Sequence, residues 1–354
     1  MSSSSYLHPG IPFSRPSTPS LHKSIGWIGL GSMGYLMARN LAKHLEGRII
    51  VYNRTRAKSE KLQEELGPNK IKVVDAISEL VIASDVVFTN LANDEVVNSV
   101  YDRISHVLTE HPPNATKIFV DTSTIYPTLA GQLKDKISAF NSAHFVMAPV
   151  FGAPPAADAA KLIVVLGGDY ESRKEIAYLM VPSVGRKAID LGENVEKPSA
   201  LKLIGNSFIL GTIELLAETM TLAEKSGVGA PALFGVVKGE LQAPQLQKVH
   251  SYGSKILNDD FDGTKGFSLA GGLKDAGHIR RLGFENNSPM PTIDIAHQHL
   301  LTARALHTSN ESASKSPFEV LDWSALVAGA RVAAGLPGFD NHKVQTGGVV
   351  LGDH

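Results

Sequence analysis

Between Ile25 and Asn40 a short apolar run meets the turn Gly29-Leu30-Gly31-Ser32-Met33-Gly34, and a helix-forming pattern follows at once. Glycines at that spacing suit the binding of a dinucleotide. Gly29 allows the tight turn, Gly31 lets backbone amides reach a pyrophosphate, and Gly34 lets the helix pack on the strand. The helix N-terminus adds N–H groups and the positive end of its dipole. About twenty residues further on, where an acid would hydrogen-bond the ribose hydroxyls of NAD, the chain carries neutral Asn53, then Arg54 and Thr55. A guanidinium grips a 2′-phosphate with paired hydrogen bonds and Thr55 can add a hydroxyl, which favours NADP over NAD. The same residues also fit a solvated turn in which Thr55 caps the next helix.

Lys202 and Asn206 form a second chemical pair. Four residues apart, they share one helix face. The bland reading of such a lysine is a snorkelling surface residue. The chemical reading is that hydride transfer at a carbinol carbon needs a proton to leave or reach its oxygen. A desolvated lysine can supply or take that proton, and Asn206 can hydrogen-bond the same oxygen or steer the ammonium. Ser123 and Thr124, in Asp121-Thr122-Ser123-Thr124, carry hydroxyls that could hold a substrate or the nicotinamide amide, although such residues also cap helices and form turns. Leu91 and Ala92, in the stretch Thr89–Asp94, fall at the same edge. His297 and His299 are two apart, on different faces of a helix, and read as structural or surface residues; no metal site is expected.

The elements that must position these residues follow from the apolar pattern. Strands are expected at Ile25–Leu30, Ile49–Tyr52, Ile71–Val74, Val86–Thr89, Ile118–Asp121, Phe145–Pro149, Leu162–Leu166 and Ala188–Leu191. Helices are expected at Met33–Leu45, Ala57–Leu66, Val96–Leu108, Leu129–Phe140 and Glu171–Leu179. That alternation predicts an α/β Rossmann-type, doubly wound, mainly parallel sheet. Around Ala148–Pro155 the chain reads as a stiff loop of small residues and proline. From Ser199 to Gly227 one helical pattern runs for more than about 35 Å. It suits a spine leading to an all-helical C-terminal domain, with further helices at Ala230–Leu246 and Met290–Ala305 and a polar loop at Thr308–Ser316. The expected boundaries are a disordered tail at 1–23, a cofactor domain at 24–193, a helical domain at 194–337 and a tail at 338–354.

Composition narrows the classes. With 354 residues the chain can build two cores, and a net charge of -1 provides no basic field for nucleic acid. The absence of cysteine removes disulfides, thiol nucleophiles and Cys-ligated zinc. Glu214, Glu218, Glu224 and Lys225 argue against reading the long helix as a membrane span. The Ser- and Pro-rich start lacks the apolar core of a secretory signal; it fits a disordered tail of a cytoplasmic protein or, with Arg15 and Lys23 and no acid, a mitochondrial targeting segment.

Together these motifs make the chain resemble the β-hydroxyacid dehydrogenases, the group of 3-hydroxyisobutyrate dehydrogenase and glyoxylate/succinic semialdehyde reductase. The resemblance runs from about Ile25 to Pro337. It is carried by the glycine turn with Met37, Ala38, Asn40 and Leu41, by Asp121–Thr124, by Lys202-Leu203-Ile204-Gly205-Asn206, by Phe267 with Leu273-Lys274-Asp275, and by Asp322–Ala325. It implies that Lys202 is the general acid/base and Asn206 its partner, with Ser123 and Thr124 near substrate and nicotinamide. It implies further that Leu91, Ala92, Phe267 and Lys274 contact the cofactor, and that the chain forms a dimer or tetramer. The family's anion-binding loop usually reads Pro-Val-Ser-Gly-Gly, with an acid ahead of the Ala-Pro. Here Met147 replaces the acid, and Phe151-Gly152-Ala153 replaces Ser-Gly-Gly. That exchange predicts a carbonyl or hydroxy substrate bulkier or less anionic than 3-hydroxyisobutyrate. An imine or ketone reductase and a non-catalytic cofactor-binding scaffold are the alternatives. Imine reductases usually lack the lysine, and scaffold relatives have lost it. A 6-phosphogluconate dehydrogenase is disfavoured by the missing His- and Lys-rich helix.

Overall fold

The computed structural model describes residues 10–14, 23–240, 247–312 and 317–339. It divides into two compact units, the first ending at Lys202 and the second beginning at Leu203. In the first, strands β1 (Ile25–Ile28), β2 (Ile49–Tyr52), β3 (Ile71–Val73), β4 (Val86–Thr89), β5 (Lys117–Asp121) and β6 (Ala143–Met147) run parallel in the order β3-β2-β1-β4-β5-β6. Helices α1 (Ser32–His44), α2 (Arg56–Leu66), α3 (Ile77–Ala83), α4 (Asp94–Glu110) and α5 (Pro127–Ser138) make the crossovers. The strand order reverses at β1 and β4, and ligands of open α/β sheets bind beyond the carboxyl ends of the strands at such a point.

Alternation along the strands builds a core on each face. Ile25 and Trp27 of β1 join Met37, Ala38 and Leu41 of α1, while Ile28 joins Val97 and Tyr101 of α4. Trp27 stacks on Phe88 of β4 with ring centroids 5.2 Å apart. Its indole N–H donates to the Gly29 carbonyl at 2.9 Å, so the largest core side chain also fixes the start of the glycine turn.

Beyond β6 the chain adds β7 (Val150–Phe151), α6 (Pro154–Asp158), β8 (Leu162–Gly168), α7 (Tyr170–Met180) and β9 (Gly185–Asp190). β8 runs antiparallel to β6 and β7 and parallel to β9. The expected loop at 148–155 is therefore a short strand and the start of a helix. The two prolines suggest a stiff loop, yet Pro154 and Pro155 occupy the first helical positions, where a missing N–H costs nothing and the fixed φ is already helical. The sequence reading also left α3 unassigned, although Ile77, Leu80 and Val81 bury one face of it.

The stretch expected to be a disordered tail contains a docked segment. Ile11 and Phe13 are buried, Gly10 accepts a hydrogen bond from the Ala188 amide of β9 at 2.7 Å, and the Tyr178 hydroxyl donates to the Phe13 carbonyl at 2.9 Å. The Phe13 ring packs edge-on against Tyr170, and the buried Arg173 guanidinium lies 6.0 Å from its centre while pairing with Asp190 at 3.0 Å. Two apolar residues supply enough burial to hold a segment whose composition is otherwise polar. Residues 1–9 and 15–22 of the expected tail lie outside the described residues.

α8 (Glu196–Lys225) continues from the first unit into the second. It starts three residues before the expected Ser199, with Pro198 tolerated in its first turn. The end of the strand–helix alternation sets the expected division at Glu193, and by compactness the two units divide between Lys202 and Leu203, inside this helix. By length and composition α8 is the one described helix apolar enough to cross a membrane, but its Glu214 carboxylate is buried and bonded to His299 Nδ1 at 2.6 Å.

The second unit contains α9 (Ala230–Glu240), α10 (Gln247–Leu257), α11 (Leu269–Glu285), α12 (Pro291–Ser312), a 3₁₀ turn at Trp323–Leu326 and α13 (Val327–Ala333). Residues 241–246 of the helix expected at Ala230–Leu246, 313–316 of the expected polar loop and 340–354 of the expected tail lie outside the described residues. The first part of that polar loop, Thr308 to Ser312, is helical, with the Ser312 hydroxyl bonding the Thr308 carbonyl at 2.9 Å. The buried Asp322 ties the unit together, accepting from Lys255 Nζ at 2.8 Å, Phe267 N at 3.0 Å and Ser324 N at 3.0 Å.

Phe13→Ala removes a buried ring that the docked segment needs. We expect urea unfolding to show a loss of about 3 kcal/mol, with no change in far-ultraviolet circular dichroism at zero denaturant. An unfolding midpoint equal to the parent's would contradict this packing.

Candidate functional site

Gly29 sits at φ +100°, and a Cβ there would meet the Asn90 carbonyl oxygen at 2.2 Å. Gly34 approaches the Gly29 carbonyl so closely that a Cβ would lie 2.3 Å from its oxygen. These two contacts set α1 against the ends of β1 and β4. Between them Gly31 and Ser32 are exposed, Met33 is half-buried, and a Cβ built on Gly31 would meet nothing within 4 Å. Gly31 caps α1 without a side-chain hydrogen bond, and no acid sits in the first turn. The amides of Ser32, Met33 and Gly34 precede the first intrahelical bond, from Tyr35 N to Gly31 O at 2.9 Å. An open backbone ahead of uncapped donors fits a pyrophosphate.

The second strand places its predicted residues beside this turn. Asn53 Oδ1 accepts from Leu30 N at 2.8 Å, and Asn53 Nδ2 donates to Thr55 O at 2.9 Å, so Asn53 braces the glycine turn. Arg54 is exposed and forms no ion pair among the described residues. Arg56, by contrast, is committed to Glu60 at 2.7 Å and to Asp75. Thr55 holds the N-cap position of α2, yet its side chain makes no capping bond.

Beyond β4 and β5 a hydrogen-bond chain orders the loops. Leu91 N donates to Ser123 Oγ at 2.8 Å, Asn90 Nδ2 donates to Thr122 Oγ1 at 3.0 Å, and Thr122 Oγ1 donates to Thr89 O at 2.8 Å. Leu91 and Thr124 are half-buried and Ala92 is exposed. Behind Ser123 lies Asp121, wholly buried, accepting from Ser123 N at 2.7 Å and from Thr89 Oγ1 at 2.7 Å. Burial pushes the Asp121 carboxyl up to about 6, against the opposing pull of hydrogen bonds from Thr89 and Ser123. Asp121 was read only as part of a motif. The stronger signal is register, because Thr89 and Asp121 are paired across β4 and β5.

Phe151 ends β7, Gly152 and Ala153 link it to α6, and all three are half-buried. The Lys202 ammonium lies 4.8 Å from the centre of the Phe151 ring, and Lys202 is only 9 % exposed. A snorkelling surface lysine would not be sequestered in this way. The first unit thus brings the glycine turn, Asn53–Thr55, Leu91–Ala92 and Ser123–Thr124 to one sheet edge, and brings Lys202 to Phe151.

In the second unit Asn206, 3 % exposed, donates through Nδ2 to the buried Asp275 carboxylate at 2.6 Å. Lys274 Nζ lies 3.3 Å from the other Asp275 oxygen. One carboxylate therefore ties two predicted residues, 68 positions apart in sequence, to a common anchor. Phe267 packs edge-on against Trp323 with centroids 4.6 Å apart, and its amide bonds Asp322.

Residues 24–191 match the NAD binding domain of 6-phosphogluconate dehydrogenase. The chain is 31 % identical over 287 residues to mitochondrial 3-hydroxyisobutyrate dehydrogenase of Drosophila melanogaster, covering 80 % of this chain and 84 % of that protein. It is 27 % identical over 310 residues to the NADH-dependent oxidoreductase ucdB of Aspergillus ustus, covering 86 % of this chain and 98 % of that one. Among solved structures, a 3-hydroxyisobutyrate dehydrogenase of Mycobacterium tuberculosis with L-serine superposes with a TM-score of 0.69 at 25 % identity, over 87 % of this chain and 99 % of the other. With a dinucleotide turn at its sheet edge and relatives of this kind along most of its length, the chain belongs to the β-hydroxyacid dehydrogenase family and is an NAD(P)-dependent oxidoreductase acting on CH–OH groups.

Proposed function

We propose that this chain interconverts a carbonyl and a hydroxyl compound with NADP, using Lys202 as general acid/base, on a substrate bulkier or less anionic than 3-hydroxyisobutyrate. The observation that carries this reading is the burial of Lys202 with its ammonium against the Phe151 ring. When bound, the nicotinamide supplies or accepts the hydride. In the direction of reduction Lys202 gives its proton to the carbonyl oxygen, and in oxidation it takes the hydroxyl proton back. Asn206 lies one turn along the same helix, its amide orientation fixed by Asp275, and takes the role of partner that the family resemblance gives it. Ser123 is held by the Asp121 carboxylate and the Leu91 amide, a rigid support for the nicotinamide or substrate. On the donor side, the uncapped amides of α1 take the pyrophosphate.

Arg54 supports NADP over NAD. It is exposed beside the braced Asn53 and is not neutralised by any described carboxylate, whereas an acid suited to ribose hydroxyls is missing from the end of β2. Because the Aspergillus ustus relative is named as NADH-dependent, cofactor choice is the sharper of the two tests. The exposed apolar side chains of Phe208, Leu215 and Leu222 on α8 support a homo-oligomer as the working form.

Arg54→Ala is expected to raise KM for NADPH by about ten- to a hundredfold, the size of a lost charge-assisted hydrogen-bond pair, and to leave KM for NADH unchanged. Tighter binding of NADH than NADPH by the parent protein would refute the NADP reading.

Lys202→Ala is expected to lower kcat by about a hundredfold or more while retaining NADPH binding, measured on a panel of carbonyl and imine substrates. A parent protein that turns over nothing on that panel, and is indistinguishable from the variant, would instead identify a cofactor-binding scaffold. Faster turnover of glyoxylate and succinic semialdehyde than of larger apolar carbonyls would sink the substrate reading alone.

A further inference from the structure

A cation 4.8 Å from a ring centre is held by the ring's quadrupole, and more firmly where water is excluded, as it is around the nine-tenths buried Lys202. Phe151 has little freedom to leave. Its backbone is paired with Ile163 on β8, and the rigid Pro154-Pro155 turn of α6 begins three residues later. The first turn of α6 has no free amide to offer an anion. Pro154 and Pro155 carry no amide hydrogen, and the Ala156 and Ala157 amides both bond the Ala153 carbonyl, at 2.9 and 3.1 Å. A carboxylate arriving here would find a ring face already on the ammonium and no first-turn amide to receive it.

We infer that Phe151 is a positioning residue of Lys202 and, through it, a determinant of substrate charge. Its ring holds the ammonium and occupies the place a carboxylate would need beside it. The site therefore takes carbonyl compounds whose second substituent is neutral and apolar. This rests on the acid/base role proposed for Lys202 and adds a residue that sets the preference. A neutral substituent gains by packing on the ring edge, whereas a carboxylate must compete with the ring for the one buried cation beside it.

The test uses the full chain and two aldehydes of matched shape: succinic semialdehyde, and 4-methylpentanal, in which an isopropyl group replaces the carboxylate. The parent should prefer 4-methylpentanal in kcat/KM. Phe151→Tyr keeps a ring face and should keep both kcat and the preference. Phe151→Leu should lower kcat about tenfold on both aldehydes with KM for NADPH unchanged. Phe151→Ser, which restores a small hydroxyl, should move the ratio of kcat/KM about tenfold or more toward succinic semialdehyde. Phe151→Met serves as a second ring-less variant should Phe151→Leu fail to fold.

A readout independent of turnover comes from protein labelled with carbon-13 at the lysine ε carbon. The resonance lost in Lys202→Ala should be ring-current shifted in the parent and in Phe151→Tyr, and should relax to the ordinary lysine position in Phe151→Leu. Unchanged kcat, preference and resonance in Phe151→Leu, with Lys202→Ala inactive, overturn the inference while leaving the acid/base role intact. A Lys202→Ala protein as active as the parent overturns that role first, and the inference with it.

Discussion

Everything at the sheet edge depends on how closely α1 can approach the end of β1. The Gly29 carbonyl and the backbone of Gly34 meet at a distance that no side chain could tolerate, and Gly29 itself lies against the Asn90 carbonyl. One tight contact fixes three things: the direction in which α1 leaves the sheet, the exposure of its first amides, and the spacing to the loop after β4. Trp27 reinforces it from below by binding the same Gly29 carbonyl, and Asn53 reinforces it from the side through Leu30 N. The donors aimed at a phosphate are thus backbone groups held by core packing.

A second layer of order lies under the residues proposed for the site. Asp121 and Asp275 are both wholly buried. Each holds a proposed site residue by hydrogen bonds, Asp121 through Ser123 N and Asp275 through Asn206 Nδ2. A buried carboxylate is costly unless its oxygens are occupied, so such an anchor is stable only while the groups it orients stay in position. The raised position of the Asp121 carboxyl, at about 6, shows how far burial offsets those bonds.

Much of this was legible in the sequence because it is local or periodic. The glycine turn, the alternation of Ile25, Trp27 and Ile28, and the pairing of an apolar strand with each short helix all announce the parallel sheet. What escaped was non-local or disguised. The contact between Lys202 and Phe151 joins residues 51 positions apart, and no spacing rule links them. Pro154 and Pro155 look like a loop because proline ends helices more often than it is noticed starting them. Ile11 and Phe13 were hidden in a Ser- and Pro-rich stretch, where two apolar residues do not form a period. The Lys274–Asp275–Asn206 cluster was half visible: the residue types were recognised, but the hydrogen bond that unites them was not.

The segment docked through Gly10 also changes the character of the outermost strand. β9 pairs with β8 on one side only, and its other side would otherwise present bare amides and carbonyls. An exposed strand of that kind is a template on which a second sheet can grow. By bonding the Ala188 amide and seating Ile11 and Phe13 alongside, the chain occupies that template with its own early residues. The polar opening of the sequence thus contains a guard against self-association through the sheet. A protein lacking only the residues from Gly10 to Ser14 would keep its cofactor edge while acquiring adhesive backbone on the other.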